Sequence, residues 1–295
     1  MDDDQRLRYS RHLLLDEWSE AAQDQLLHAH ALVIGAGGLG APALMYLASA
    51  GVGRITVIDH DTVDITNLQR QIAHTTERVG QAKVLSAEQA ILQLNPGVQV
   101  HAIAMAADEA LLRQHVPTAQ VVLDCTDRFA IRQLINRVCR EAGVPLVSAS
   151  AVRFDGQISV FDPREAGGPC YACLFPAESP PEETRCAMLG VFAPVVGMMG
   201  VMQAGEALKL LLQAQPAGAW AGHTSLAGRL LMLDGRRWEW TEMRASRDPL
   251  CPVCGDPALR WNHNSPGLTA LFDGLGLRCD GILASRRRVL AASSS

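Results

Sequence analysis

The stretch ALVIGAGGLGAP, residues 31–42, constrains this chain more than any other. An apolar, β-branched run stops at Gly35-x-Gly37-x-x-Gly40, and a helical pattern, APALMYLASAG over 41–51, follows directly. A strand feeding a helix through glycines makes a tight turn and lets the backbone approach a phosphate. It also aims the unpaired N–H groups and positive dipole end of the helix at that phosphate. RITVID (54–59) completes a strand-helix-strand unit, and Asp59 at its end is placed to accept hydrogen bonds from ribose hydroxyls. These residues report a ribose and a phosphate, so NAD and any adenosine nucleotide satisfy them equally.

The alternation continues. KVLSAEQAILQLN (83–95) reads as a helix, VQVHAIA as a strand, VVLDCTD (121–127) as a buried strand, AIRQLINRVCREAG as a helix, and PLVSASAV and GQISVFDP as strands. That order predicts an α/β fold, a Rossmann-like, doubly wound and mainly parallel sheet. Residues 5–30 read as helical from Leu7, Leu13, Leu14, Trp18, Leu26 and Leu27 among charged positions. From Pro163 to Pro194 the chain is irregular; a helix over Val201–Leu212 and a hairpin, GRLLMLDGRRWEWTEM with Asp234-Gly235 as its turn, follow. Beyond Gly255 no pattern emerges, and 256–295 is expected to be a poorly ordered tail on a domain of residues 1–255.

The formal charge of −5, without a basic stripe, argues against a nucleic-acid partner. The uncharged run Ala187–Gly205 reaches the length of a membrane span. Pro194, its glycines and Gln203 favour a buried loop and helix instead. The N-terminus, MDDDQRLRYSR, lacks the basic-then-apolar pattern of a signal peptide, and a cytoplasmic location is expected.

Four of the eight cysteines form Cys170-x-x-Cys173 and Cys251-x-x-Cys254. Each pair sets two thiolates on one turn, and two such turns complete a tetrahedral, four-thiolate zinc site. Four sulfurs fill the coordination, so this zinc would be structural and would clip the C-terminal segment back onto the domain. A redox Cys-x-x-Cys is the alternative. Cys186, preceded by Arg185, is either a nucleophilic thiol or an ordinary loop cysteine. Cys125 and Cys139 read as core or helix positions.

After Asp59 come HDTVDITNLQRQ and RVGQAKV, which supply Asn67, Gln69, Arg70 and Lys83 near the phosphate end of the site. A dehydrogenase holding a diphosphate needs few such groups. An enzyme that holds a triphosphate and releases pyrophosphate needs several, because nucleotidyl transfer runs on positioning and electrostatics. Taken singly, Arg70 and Lys83 also read as solvated helix-face charges. Asp127, at the carboxyl end of a strand, is placed either to hold Mg²⁺ on phosphates or to cap the helix RFAIRQLIN.

Together RYSRH, GAGGLG, DHDTVDITNLQRQ, RVGQAK, DCTDRFAIR, PCYAC and CPVCG resemble the E1-like sulfur-carrier adenylyltransferases, the ThiF/MoeB/HesA family, from about Arg8 to Gly255. Enzymes of that family adenylate the C-terminal glycine of small ubiquitin-like sulfur carriers ending in Gly-Gly. The resemblance implies that Gly35, Gly37, Gly38 and Gly40 surround the phosphates of ATP and that Asp59 binds its ribose. Asn67, Arg70 and Lys83 would contact the phosphates and stabilise the transition state, and Asp127 would hold Mg²⁺ or orient the reacting groups. Arg11 would enter the site from the other subunit of a homodimer, and Cys170, Cys173, Cys251 and Cys254 would bind Zn²⁺. Residues 174–190 would form a crossover loop, or lid, over the carrier tail; a cysteine placed like Cys186 links covalently to the carrier in part of the family and is not needed in other members. Arg128 stands where the family usually has asparagine, while Asp127 and Arg132 are kept. No sulfurtransferase-like domain follows, so a separate protein would donate sulfur. The motifs incline to a molybdopterin-type carrier, with a thiamine-type carrier as the alternative. An NAD(P)-linked oxidoreductase and a non-enzymatic zinc scaffold are the readings outside this chemistry.

Overall fold

The computed structural model describes residues 1–177, 189–213 and 225–257. The chain divides into two compact units, Met1–Arg247 and a second beginning at Asp248.

Among the described residues the first unit is built on eight strands: β1 (His30–Ile34), β2 (Arg54–Ile58), β3 (Gln99–Ile103), β4 (Val121–Asp124), β5 (Leu146–Val152), β6 (Asp155–Phe161), β7 (Arg229–Asp234) and β8 (Glu239–Arg244). They lie in the order β3-β2-β1-β4-β5-β6-β7-β8. The first five are mutually parallel, and β6, β7 and β8 extend the sheet antiparallel. Strands β1 and β4 are buried along their whole length, which is why they read as unbroken apolar runs. Ala31 and Val33 enter one hydrophobic cluster, whereas Leu32 and Ile34 enter the other. The alternation of side chains along a strand thus feeds both faces.

One face is covered by α4 (Gly40–Ala50), α5 (Lys83–Leu94) and α9 (Ala193–Leu212), the other by α6 (Glu109–His115) and α7 (Phe129–Ala142). Short helices α1 (Asp3–Arg8), α2 (Ser10–Leu13) and α3 (Glu20–Leu27) precede β1, and α8 (Tyr171–Leu174) follows β6. Helix α9 is long and apolar enough to cross a membrane. Val195, Val196, Met199, Ala204, Ala207 and Leu210 are nonetheless buried in the core, as expected of a core helix. It crosses α4 closely: a Cβ at Gly200 would come within 2.2 Å of the Leu39 carbonyl oxygen.

Several local expectations are corrected. Residues 5–30 form three short helices and the start of β1. The chain breaks at Tyr9, and Ser19 caps α3 by accepting from the Ala22 N–H. The late helix begins at Ala193, eight residues before the expected Val201, because Pro194 sits in its first turn, where no intrahelical N–H is required. The hairpin turn is a four-residue loop between Asp234 and Glu239, with Trp238 at φ 60°, rather than a two-residue Asp234-Gly235 turn. Helix α6, capped by Asp108, was not anticipated. The tail beyond residue 257 and most of the expected lid, with Cys186, lie outside the described residues.

Candidate active site

In the order β3-β2-β1-β4-β5 the chain moves away from β1 in opposite directions, and open α/β sheets bind ligands at the carboxyl ends of the strands beside such a reversal. The glycine loop after β1 and the Thr126–Asp127 loop after β4 meet there. Gly35 has φ 100°, and a Cβ on it would lie 2.6 Å from the Cys125 carbonyl oxygen. A Cβ on Gly40 would lie 1.9 Å from the Gly35 carbonyl oxygen. The protein itself therefore demands glycine at both positions. Gly37 differs: the nearest atom to a Cβ there is Gln71 Nε2, at 3.6 Å. Gly37 is half-buried, and the room beside it is what close backbone approach to a phosphate requires.

Asp59, at the end of β2, accepts from the Ala36 N–H at Oδ2 (2.7 Å) and from the Asp61 N–H at Oδ1 (2.8 Å). Each oxygen keeps a further lone pair for a hydroxyl donor. The following segment folds back over the loop. The Arg70 side chain runs past Gly38, with Cγ 3.5 Å from where a Cβ would stand. Asn67 Oδ1 accepts from Arg70 Nη2 at 3.2 Å and from Gln71 Nε2 at 3.3 Å, which leaves the Asn67 amide donor turned away from both.

Lys83 opens α5 and is buried, so the reading of it as a solvated surface charge is corrected. Its ammonium donates to Asp61 Oδ2 at 2.8 Å. Burial works against ionisation of Asp61, yet the Lys83 hydrogen bond and charge, with His60, outweigh it and hold this carboxyl below its usual range.

Asp127 is exposed, and its carboxylate has no hydrogen-bond or ionic partner among the described residues. The capping alternative fails: Arg128 is the N-cap of α7, and no side chain caps that helix. Beneath Asp127 lies a buried network. The fully buried Asp124 carboxylate accepts from Ser148 Oγ (2.8 Å) and Thr126 Oγ1 (2.7 Å), with Arg132 Nε 3.8 Å away. Arg132 also donates to the Thr126 carbonyl. Gln203, in the apolar run of α9, donates to the Asp124 and Val147 carbonyls at 2.7 and 3.2 Å, tying the carboxyl end of β4 to the first residues of β5. Cys125 and Cys139 are buried, and burial pushes both thiols far up.

Arg11 is exposed on α2, with no partner among the described residues. Its neighbour Tyr9 packs against Gly51, at the opposite end of α4 from the glycine loop, and its hydroxyl accepts from Asn95. An eleven-residue helix spans about 16 Å, so the fold does not bring Arg11 to the glycine loop of its own chain.

The cysteine pairs form turns. In the first unit Cys173 N–H donates to the Cys170 carbonyl, and the two sulfurs are 3.9 Å apart. In the second unit Cys251 N–H donates to Asp248 and Gly255 N–H to Cys251, with Cys251 and Cys254 both buried.

Sequence reasoning missed Asp61, Gln71, His74 and Asp124. Asp124 carried a signal, since a carboxylate inside VVLDC must be buried and therefore partnered. Asp61 and Gln71 read as ordinary loop residues.

The ThiF family model matches residues 9–253. The sulfur carrier protein ThiS adenylyltransferase of Escherichia coli K12 is 44% identical over 255 residues, 86% of this chain and 97% of that one. The molybdopterin-synthase adenylyltransferase of the same organism is 41% identical over 256 residues, 86% and 98%. Among solved structures, E. coli MccB with ATP superposes with a TM-score of 0.71 at 24% identity, over 84% of this chain and 73% of that one, a likeness of fold.

Proposed function

This chain belongs to the ThiF family, and on that premise we propose that it adenylates the C-terminal carboxylate of a small ubiquitin-like sulfur carrier ending in Gly-Gly. The observation that carries the reading is that Arg70, bonded to Asn67, runs past Gly38 of the glycine loop, while the buried Lys83 pairs with Asp61, whose N–H donates to the Asp59 carboxylate that also holds Ala36 of that loop. A hydride-transfer site would have no use for that charge. The relatives named for sulfur-carrier and molybdopterin-synthase adenylylation support it.

In this mechanism the glycine-loop N–H groups and the start of α4 bind phosphate, and Asp59 takes the ribose. An oxygen of the carrier's terminal carboxylate attacks the α-phosphorus. The new P–O bond forms as the bond to the bridging β-phosphate oxygen breaks, and pyrophosphate leaves with that electron pair. A carboxylate is already ionised, so no general base is required. Lys83, Arg70 and Asn67 stabilise charge accumulating on the leaving phosphates. Asp127, an exposed oxygen donor at the crevice, fits Mg²⁺, which when bound would neutralise phosphate charge. Arg11 would be supplied by the second subunit of a homodimer, and Cys186 would be the candidate thiol for a covalent link to the carrier.

The two Cys-x-x-Cys pairs, Cys170 with Cys173 and Cys251 with Cys254, are proposed to bind one metal ion together. All four are sulfurs, the set that suits structural Zn²⁺, and no position is left for chemistry. Paired reduced thiols also suit the cytoplasm as the proposed location.

For the carrier we place the molybdopterin-synthase type first, on SVFDPR, GRLLMLDG and RDPLCPVCG. The thiamine-type carrier is the second reading, supported by the 44% identity to the ThiS adenylyltransferase. A separate protein would supply sulfur. Carrier-dependent exchange of pyrophosphate into ATP tests the reading.

A further inference from the structure

Ala36, the second residue of the glycine loop, has both poles of its backbone held. Its N–H donates to Asp59 Oδ2, and its carbonyl oxygen lies 2.9 Å from His74 Nε2. A carbonyl only accepts, so Nε2 carries the proton. Nδ1 then offers a lone pair, and the Ser86 hydroxyl, 2.9 Å away, donates to it. Ser86 lies one turn after Lys83 on α5. His74 is 5% exposed and Ser86 0%, so the chain Ala36–His74–Ser86 runs through the interior. Burial holds the His74 imidazole below its ordinary pKa despite the bond to Ala36, which favours the neutral ring and this one tautomer.

A glycine-rich loop has more backbone freedom than most segments, and Gly37 is packed against nothing closer than 3.6 Å. The loop's geometry therefore depends on the points at which its peptides are pinned. We propose that His74 is a positioning residue for nucleotide binding, tying the glycine loop to α5 so that the loop N–H groups and the Lys83 ammonium address the same phosphates. The inference rests on the ATP-dependent reading above and adds to it a residue that touches no substrate.

The test separates hydrogen bonding from packing. In His74→Gln the side-chain amide nitrogen falls near the place of Nε2 and can still donate to Ala36. His74→Leu keeps the bulk and loses the donor. ATP binding is titrated without carrier, and ATP and carrier KM and kcat are then measured in pyrophosphate exchange. His74→Leu should weaken ATP binding by roughly tenfold, the scale of leaving one buried carbonyl unsatisfied. Carrier KM should stay unchanged, and His74→Gln should fall within about twofold of the parent protein. A folded His74→Leu that binds ATP like the parent overturns the proposal, as does a His74→Gln as weak as His74→Leu. Should His74→Leu fail to fold, Ser86→Ala decides. Several-fold weaker ATP binding supports the tie and unchanged binding removes it. A parent protein that binds no ATP would instead sink the adenylation reading, so the two failures are distinct.

Discussion

Lys83 and Asp61 are joined twice: Nζ to Oδ2 at 2.8 Å, and the Lys83 N–H to the Asp61 carbonyl at 2.9 Å. The lysine side chain is 6% exposed and the aspartate 52%, so a buried cation looks outward through its counter-ion. Without nucleotide, Asp61 supplies the opposite charge that a buried ammonium needs, and phosphate would supply it when nucleotide binds. Lys83→Ala should lower kcat for exchange by about 10²- to 10³-fold, the scale of losing one preorganised charge-stabilising donor. Asp61→Asn should cost less, roughly tenfold. Because the Asp61 carboxyl is lowered from 3.8 in the fold, its contribution to stability is present above that value and lost as pH falls through the lower, folded one. Denaturant melts of Asp61→Asn should therefore lose less stability than the parent in that acid range.

The glycine loop predicts opposite outcomes for two like substitutions. Gly40→Ala forces a methyl group to 1.9 Å from the Gly35 carbonyl oxygen and should destabilise the fold by about 3 kcal/mol, read from urea midpoints. Gly37→Ala meets nothing closer than 3.6 Å and should melt like the parent, yet bind ATP at least about tenfold more weakly. Normal ATP binding by Gly37→Ala would place the phosphates elsewhere.

Acidification should weaken the fold through the buried His74 and His30 and the half-buried His115. Burial lowers His74, His30 and His115 from 6.5. Between each folded value and 6.5 the unfolded chain binds more protons, so stability is greatest above that window and falls as pH drops through it. Urea midpoints at about pH 7.5 and about pH 5.5 should show the loss, and His74→Gln should show less of it.

Chelation and Cys254→Ala should each remove bound zinc and lower the melting temperature, since metal-binding energy is folding energy in such sites. Elemental analysis and thermal melts read both effects. Unchanged melting after complete zinc removal would contradict a structural role.

Arg11 lies at the far end of α4 from its own glycine loop. If Arg11 acts across the proposed homodimer, two impaired proteins, Arg11→Ala and Lys83→Ala, should recover exchange activity on mixing, because one of the two sites of a mixed dimer would then be intact. Confirmed mixed dimers without activity would remove the trans assignment.

Much of the site was legible because strand-loop-helix punctuation is local. The apolar run before Gly35, the helix after Gly40 and Asp59 at the end of β2 all lie in one continuous stretch of chain, 31–59. What was not legible depends on tertiary contact. His74 reads as one more histidine in QIAHTTERVG until the fold sets it between Ala36 and Ser86. The N-terminal helical pattern over-extended because Leu7, Leu13 and Leu14 were read as part of one apolar helix face, whereas Leu7 and Leu14 are exposed. Helix α9 was shortened by a proline that helices accept in their first turn.

Pyrophosphate exchange into ATP, measured with Mg²⁺ in zinc-loaded protein, tests the central claim most directly. It would be run without carrier, with a molybdopterin-type carrier and with a thiamine-type carrier, each ending in Gly-Gly. Exchange should depend on a carrier, be abolished when the terminal glycine is deleted, and be strongest with the molybdopterin type. No exchange with either carrier, in folded protein that binds ATP, would contradict it.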